Sequence, residues 1–309
     1  MSILFAGTPP NAAVTLRELL VAGTPISLVL TRPDAPIGRK AVITPSPVAL
    51  VAEEFGIPTI KSNSVGEDEL ATIQKAGIDF AIVVALGVVL KDEALKALPK
   101  GWFNLHFSLL PRWRGAAPVQ HAIIAGDKDT GITVFKIDAG LDTGPIAATL
   151  PTEIQPNETA GDLLARLTNL GVSLLLETIP RIESGLVTLE PQGANGITIA
   201  PKLFKADGKV DLNRPAANVS QQVRGVTPEP GAWLSFRGES LKLIEVRESN
   251  QVLGLGLLAN LDDKIFVGCR AGALELIQVQ PAGKSRMAAA DWFRGLHGSD
   301  FKLGDDVQL

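Results

Sequence analysis

Residues 80–85 read Phe-Ala-Ile-Val-Val-Ala, with no polar side chain at either of the two alternating positions. Successive side chains of a strand point to opposite faces, so a strand of this composition must be buried on both. Strands of that kind belong to parallel sheets, whose crossover connections lay helices over each face. This segment restricts the chain to α/β architectures and asks for alternating strands and helices around it.

The alternation is there. Residues 3–6 read as a buried strand, 11–22 as the helix after it, and 26–30 as a second β-branched strand. A loop rich in proline and basic residues follows at 32–47, then a helix from about 48 to 55. Further strands are expected at 103–107 and 132–137, a helix at 117–125, and a long amphipathic helix at 159–183 capped by Thr159 or Asn157. Helical patterning stops at Gly185, and residues 186–200, which carry Pro191, Gly193, Asn195 and Gly196, read as a linker. Past Phe204 the texture changes to short runs between turn signals, at 232–236, 241–246, 254–258, 264–267 and 273–278. The expected organisation is a Rossmann-like, mostly parallel α/β domain over 1–185 and a linker over 186–204. A small OB-like β-barrel over 205–309 completes it.

At 309 residues the chain has enough length for two cores. It contains no apolar run of about 18 residues, and the short apolar stretch after Met1 has neither a basic flank nor a small-residue cleavage site. The single cysteine, Cys269, excludes an internal disulfide and a cysteine-cluster zinc site. Together these lead us to expect a cytoplasmic protein, with no membrane partner. The net charge of −4 gives no global attraction for nucleic acid. The residues from 201 onward are nearly balanced, with 14 Lys/Arg against 13 Asp/Glu, so any phosphate contacts must come from local clusters.

The densest chemical segment is Asn104-Leu-His106-Phe-Ser108-Leu-Leu-Pro111-Arg-Trp-Arg114-Gly115. Asn104 and His106 are two apart, so on a strand they share a face, and they fall at a strand end, where open α/β sheets bind ligands. An amide beside an imidazole can hold the oxyanion that develops on a carbonyl carbon. Asp142, in the loop Asp138-Ala-Gly-Leu-Asp142-Thr-Gly144, follows another strand; a carboxylate near His106 would raise its pKa and orient it. Taken singly, a histidine among apolar neighbours is more often a core residue, and an aspartate between glycines a turn residue. The three histidines, His106, His121 and His297, lie far apart in sequence and suggest no metal site; His121, mid-helix, is expected to have a structural or surface role.

Asn-Leu-His-Phe-Ser-Leu-Leu-Pro-Arg-Trp-Arg-Gly-Ala-Ala-Pro, together with Gly-Leu-Asp-Thr-Gly at 140–144, resembles the signature of the folate-dependent formyltransferases. The likeness runs through nearly the whole chain: Phe-Ala-Gly-Thr-Pro near the start, Arg-Pro-Asp-Ala-Pro-Ile-Gly-Arg at 32–39, Ala-Pro-Lys-Leu-Phe-Lys-Ala-Asp-Gly-Lys at 200–209, Val-Arg-Gly-Val-Thr-Pro-Glu-Pro-Gly at 223–231 and Gln-Pro-Ala-Gly-Lys-Ser-Arg-Met at 280–287. The resemblance is strongest to those members that formylate methionyl-tRNA. It implies a catalytic set of Asn104, His106 and Asp142, with His106 kept charged by Asp142, and 10-formyltetrahydrofolate as donor without a metal. The folate would lie along Leu86, Gly87, Val88 and Val89, the backbone from Asp138 to Asp142, and Ser108, Leu109, Leu110 and Pro111. Initiator methionyl-tRNA would be met by Arg39 and Lys40 in the 32–47 loop and by Lys202, Lys205 and Lys209, with the protein a monomer. The alternative is formylation of a UDP-amino sugar, for which a long basic loop has no evident use. In two places the chain departs from the family: Leu86 replaces a usual tyrosine, and Pro10-Asn11 replaces Glu-Phe.

Overall fold

The computed structural model describes residues 2–38, 40–297 and 301–304. In chain order these form β1 (Ile3–Gly7), α1 (Pro10–Val21), β2 (Ile26–Thr31), β3 (Ala35–Ile37), β4 (Val42–Thr44), α2 (Pro47–Glu54), β5 (Thr59–Lys61), α3 (Glu67–Lys75), β6 (Phe80–Val84), α4 (Asp92–Lys96), β7 (Gly101–His106), β8 (Arg114–Gly115), α5 (Pro118–Ala125), β9 (Asp129–Lys136), β10 (Ile146–Glu153), α6 (Ala160–Glu183) and β11 (Ile199–Ala200). They continue as α7 (Ala216–Gly225), β12 (Ala232–Phe236), β13 (Glu239–Ser249), β14 (Leu258–Leu261), β15 (Lys264–Gly268), β16 (Ala273–Pro281), β17 (Met287–Ala288) and α8 (Ala289–Arg294). Two compact units result. One takes in the described residues up to Gly115 with 130–152 and 164–199; the other takes in 116–129, 153–163 and the described residues from 200 onward.

The first unit is built on a seven-stranded sheet in the order β10-β9-β7-β6-β1-β2-β5. Every residue of β6 is buried, as its uniform apolar composition requires, and the strand pairs in parallel with β1 on one side and β7 on the other. Parallel pairing extends through β2 to β5, whereas β9 runs antiparallel to β7. One face carries Leu4, Leu30, Val83 and Trp102, packed with Ile73 and Ala94 into an apolar cluster. Trp102 satisfies its indole N–H on the Ala94 carbonyl at 2.7 Å, so burying it leaves no donor unpaired. On the other face Leu105 meets α6 at Gly171, where a Cβ would come within 2.7 Å of the Leu105 side chain.

Local chemistry sets the helix starts. Ser46 caps α2 by accepting from the Ala49 N–H at 3.0 Å. Pro10 occupies the first turn of α1, where a missing N–H costs nothing. The 32–47 stretch is more ordered than its prolines suggest: β3 and β4 pair as a small antiparallel ribbon, and Pro36 is tolerated because such a ribbon has free edges. The short strand β5 and helix α3 between residues 55 and 80 gave no clear sequence signal.

In the second unit six strands form one antiparallel system, β12-β13-β16-β15-β14, with β17 beside β16. The strand expected at 254–258 lies instead at Leu258–Leu261. Asp262 and Asp263, at φ 52° and 60°, make a two-residue hairpin turn that sets Leu261 opposite Lys264, and this fixes the register of the preceding strand. The ladder between β13 and β16 shifts around Glu245, a bulge that lets this long strand bend. The core beneath joins Leu234, Leu243, Leu276 and Val279 to Val219 and Val223 of α7 and Trp292 of α8. In this unit Thr159 and Asp162 cap α6 reciprocally, each side chain accepting from the other's backbone N–H. No helix among the described residues is long and apolar enough to cross a membrane.

Candidate active site

Asn104 and His106 point to the same side of β7 as Trp102, as period-two alternation requires. His106 is 4% exposed, while Asn104 is half-buried and its amide has no hydrogen-bond partner among the described residues. Because β9 is antiparallel, Lys136 at its end lies opposite Phe103, and the segment after it folds back over the face that carries Asn104 and His106.

The loop after β7 is fastened from within. Thr133, fully buried on β9, donates its hydroxyl to the Ser108 carbonyl at 2.7 Å and accepts from the Leu110 N–H at 3.2 Å. Ser108 donates its own hydroxyl to the Arg112 carbonyl at 2.6 Å. The loop thereby brings the Trp113 carbonyl to 2.9 Å from His106 Nε2. A carbonyl only accepts, so Nε2 carries the hydrogen and Nδ1 is the nitrogen left to gain or lose a proton.

Nδ1 faces Asp142, with Oδ2 at 3.7 Å, and the same oxygen accepts from the Gly115 N–H at 2.7 Å. Burial pushes the His106 pKa down; the Asp142 charge and the Trp113 carbonyl pull it up, and the net shift is downward. Burial of the ring thus works against the charged form that the carboxylate 3.7 Å away favours. Trp113 and Asp142 have φ of 62° and 50°, and Ala85 at the end of β6 has 48°, so three non-glycine residues hold the disfavoured left-handed conformation around this region.

The other expected site residues divide. Leu86 is buried: its side chain packs in the apolar cluster and its carbonyl accepts from the Thr8 hydroxyl at 2.9 Å. Gly87 and Val89 are exposed and Val88 is half-buried. Ser108 and Leu110 point inward, leaving Leu109 and Pro111 partly accessible. Asp138 closes its own loop, accepting from the Gly140 N–H and the Thr143 hydroxyl. Lys40 is exposed in the turn between β3 and β4; Arg39 lies outside the described residues. Lys202, Lys205 and Lys209 are exposed, Lys202 over the ring of Phe204 at 5.8 Å and Lys209 over that of Trp233 at 6.0 Å. His121 is held to the Pro201 carbonyl at 3.0 Å, in keeping with a structural role.

Sequence reasoning overlooked Gln192. Its Nε2 donates to the carbonyls of Asp142 and Gly144, both at 2.8 Å, and its Oε1 accepts from Arg114 at 3.1 and 2.7 Å. Nothing in a Pro-Gln-Gly-Ala-Asn-Gly run distinguishes it from an idle linker.

Residues 1–179 match the formyl transferase family, and residues 202–297 match its C-terminal domain. The chain belongs to the formyl transferase family. Among curated relatives, the methionyl-tRNA formyltransferase of Paenarthrobacter aurescens is 47% identical over 298 residues, covering 96% of this chain and 97% of its own length. That of Arthrobacter sp. is 46% identical with the same coverage of both chains. A solved N-formyltransferase from Helicobacter canadensis, in complex with folinic acid and dTDP-3-aminofucose, superposes with a TM-score of 0.69 over 90% of this chain and 98% of that one. At 19% identity this last likeness is one of fold. Within the formyl transferase family, the first unit thus has the mostly parallel sheet and flanking helices expected from the sequence, and the second the antiparallel β-structure.

Proposed function

We propose that this protein transfers the formyl group of 10-formyltetrahydrofolate to the free amino group of initiator methionyl-tRNA, in the cytoplasm and as a monomer. The observation that carries the reading is its likeness, over 96% of the chain, to relatives that bear that name. The residues fit such a donor: after β6 lie the exposed residues Ala85 and Gly87, and on β7 the unpartnered amide of Asn104. When bound, the folate supplies a formyl carbon on a nitrogen able to leave.

The chain's own groups then divide the work. Asn104 donates its amide N–H to the formyl oxygen as negative charge gathers there. His106 accepts at Nδ1 the proton that the attacking amine sheds. Asp142 faces that nitrogen and stabilises the imidazolium while it exists. His106 returns the proton to the departing folate nitrogen. One carbon–nitrogen bond forms, one breaks, and the protein ends as it began. Arg39, Lys40, Lys202, Lys205 and Lys209 are proposed to meet phosphates of the tRNA.

The test is formyl transfer by the wild type and by Asn104→Ala, with methionyl-tRNA and a UDP-amino sugar as parallel acceptors. Transfer to the tRNA alone, largely lost in the variant, is expected. Transfer to the sugar alone would overturn the acceptor, and no transfer to either would overturn the reaction.

A further inference from the structure

Asp142 has two requirements that its own loop does not meet. Its backbone sits at φ 50°, in the left-handed region that a residue with a Cβ adopts only at a cost. Its carboxylate must also face Nδ1 of His106 across 3.7 Å rather than turn to water. Gln192 answers the first: its two amide hydrogens go to the carbonyls of Asp142 and Gly144, gripping the main chain on either side of Thr143. The Gly115 N–H answers the second by holding Oδ2 at 2.7 Å. Arg114, next to Gly115, joins the two, because its Nε and one terminal nitrogen both donate to Gln192 Oε1.

We propose that Gln192 is a positioning residue for the reaction: it fixes the backbone of Asp142 so that the carboxylate is kept opposite His106. The proposal rests on the roles given above to Asp142 and His106. Glutamine is required rather than merely suitable. Both ends of its amide are used, with donors toward two carbonyls and an acceptor toward a guanidinium. Glutamate would pair better with Arg114 but would set an anion against the two carbonyls. Methionine has the length and neither function. Asparagine has both functions but is one methylene too short.

Steady-state formyl transfer, with methionyl-tRNA as acceptor, compares the wild type with Gln192→Met, Gln192→Glu, Asp142→Asn and the double variant Asp142→Asn/Gln192→Met. Both single Gln192 variants should lose roughly 10- to 100-fold in kcat, the scale of a small misplacement of a reacting group, while KM for either substrate changes by less than about twofold. The double variant should be no slower than Asp142→Asn alone, because Gln192 acts through a group already removed. Losses that multiply in the double variant, an unchanged kcat, or a Glu variant as active as the wild type would each overturn the proposal. If Gln192→Met loses its native circular dichroism, Gln192→Asn carries the same comparison. If the wild type formylates only another amine, the acceptor assignment fails and the same ratios are read on that amine.

Discussion

Nδ1 of His106 lies 3.7 Å from Oδ2 of Asp142, too far for a hydrogen bond and close enough for the charge to be felt. The ring is buried, and that burial draws its pKa below the ordinary value of about 6.5. A neutral acceptor at Nδ1 fails only as pH falls through that lowered pKa. The expected kcat/KM profile is therefore flat from pH 8 to about 6.5 and declines only on the acid side of it. Asp142→Asn removes an upward pull, so the acid limb should move to still lower pH while kcat drops roughly 100-fold. A limb that shifts to higher pH in this variant would contradict the assignment.

Asn104 is the cleanest probe of oxyanion binding, because its amide has no partner among the described residues. Asn104→Ala should lower kcat by about 100- to 1,000-fold, the usual loss for one oxyanion donor. The thermal midpoint should hardly move, since no hydrogen bond of the folded protein is lost. A large drop in the midpoint would mean that the side chain is structural.

What the sequence disclosed and what it concealed have a common physical basis. The all-apolar β6 announced its own burial, and the spacing of Asn104 and His106 implied a shared face. These are properties of one strand, carried by adjacent residues. The pull on the His106 pKa depends instead on how completely the fold buries the ring, and no local pattern records that. Gln192 was hidden for the same reason: its partners Arg114, Asp142 and Gly144 lie 48 to 78 residues away. The position of β14 was legible in principle, because Asp262-Asp263 is a two-residue turn, but the preceding glycines drew the strand forward.

Thr133 holds the loop after β7 through one hydroxyl that both donates and accepts. Thr133→Val keeps the shape and leaves the Ser108 carbonyl and the Leu110 N–H without it, at a cost of about 1–3 kcal/mol. Loss of stability in denaturant melts should accompany reduced kcat, and Thr133→Ser should recover most of both. Equal damage from Val and Ser would mean that packing, not the hydroxyl, fastens the loop.

Cys269 is buried in the core of the second unit, and burial pushes its thiol up to about 11. Reaction needs the thiolate. The native protein at pH 8 should resist a maleimide or disulfide reagent for hours and react fully once unfolded. Rapid labelling of folded protein would show that this core opens readily.

Lys202, Lys205 and Lys209 are exposed and spaced along one short stretch, and two of them rest against aromatic rings. Replacing all three with alanine should leave stability within about 0.5 kcal/mol of wild type, as for most surface changes. If they meet tRNA phosphates, KM for methionyl-tRNA should rise while KM for the folate stays constant. The decisive reading is salt dependence. Each lost phosphate contact should remove roughly 0.7–0.9 from the slope of log affinity against log salt, so three contacts should flatten it by about 2 or more. An unchanged slope with weaker binding would place these lysines outside the RNA path, because only neutralised phosphates release counterions.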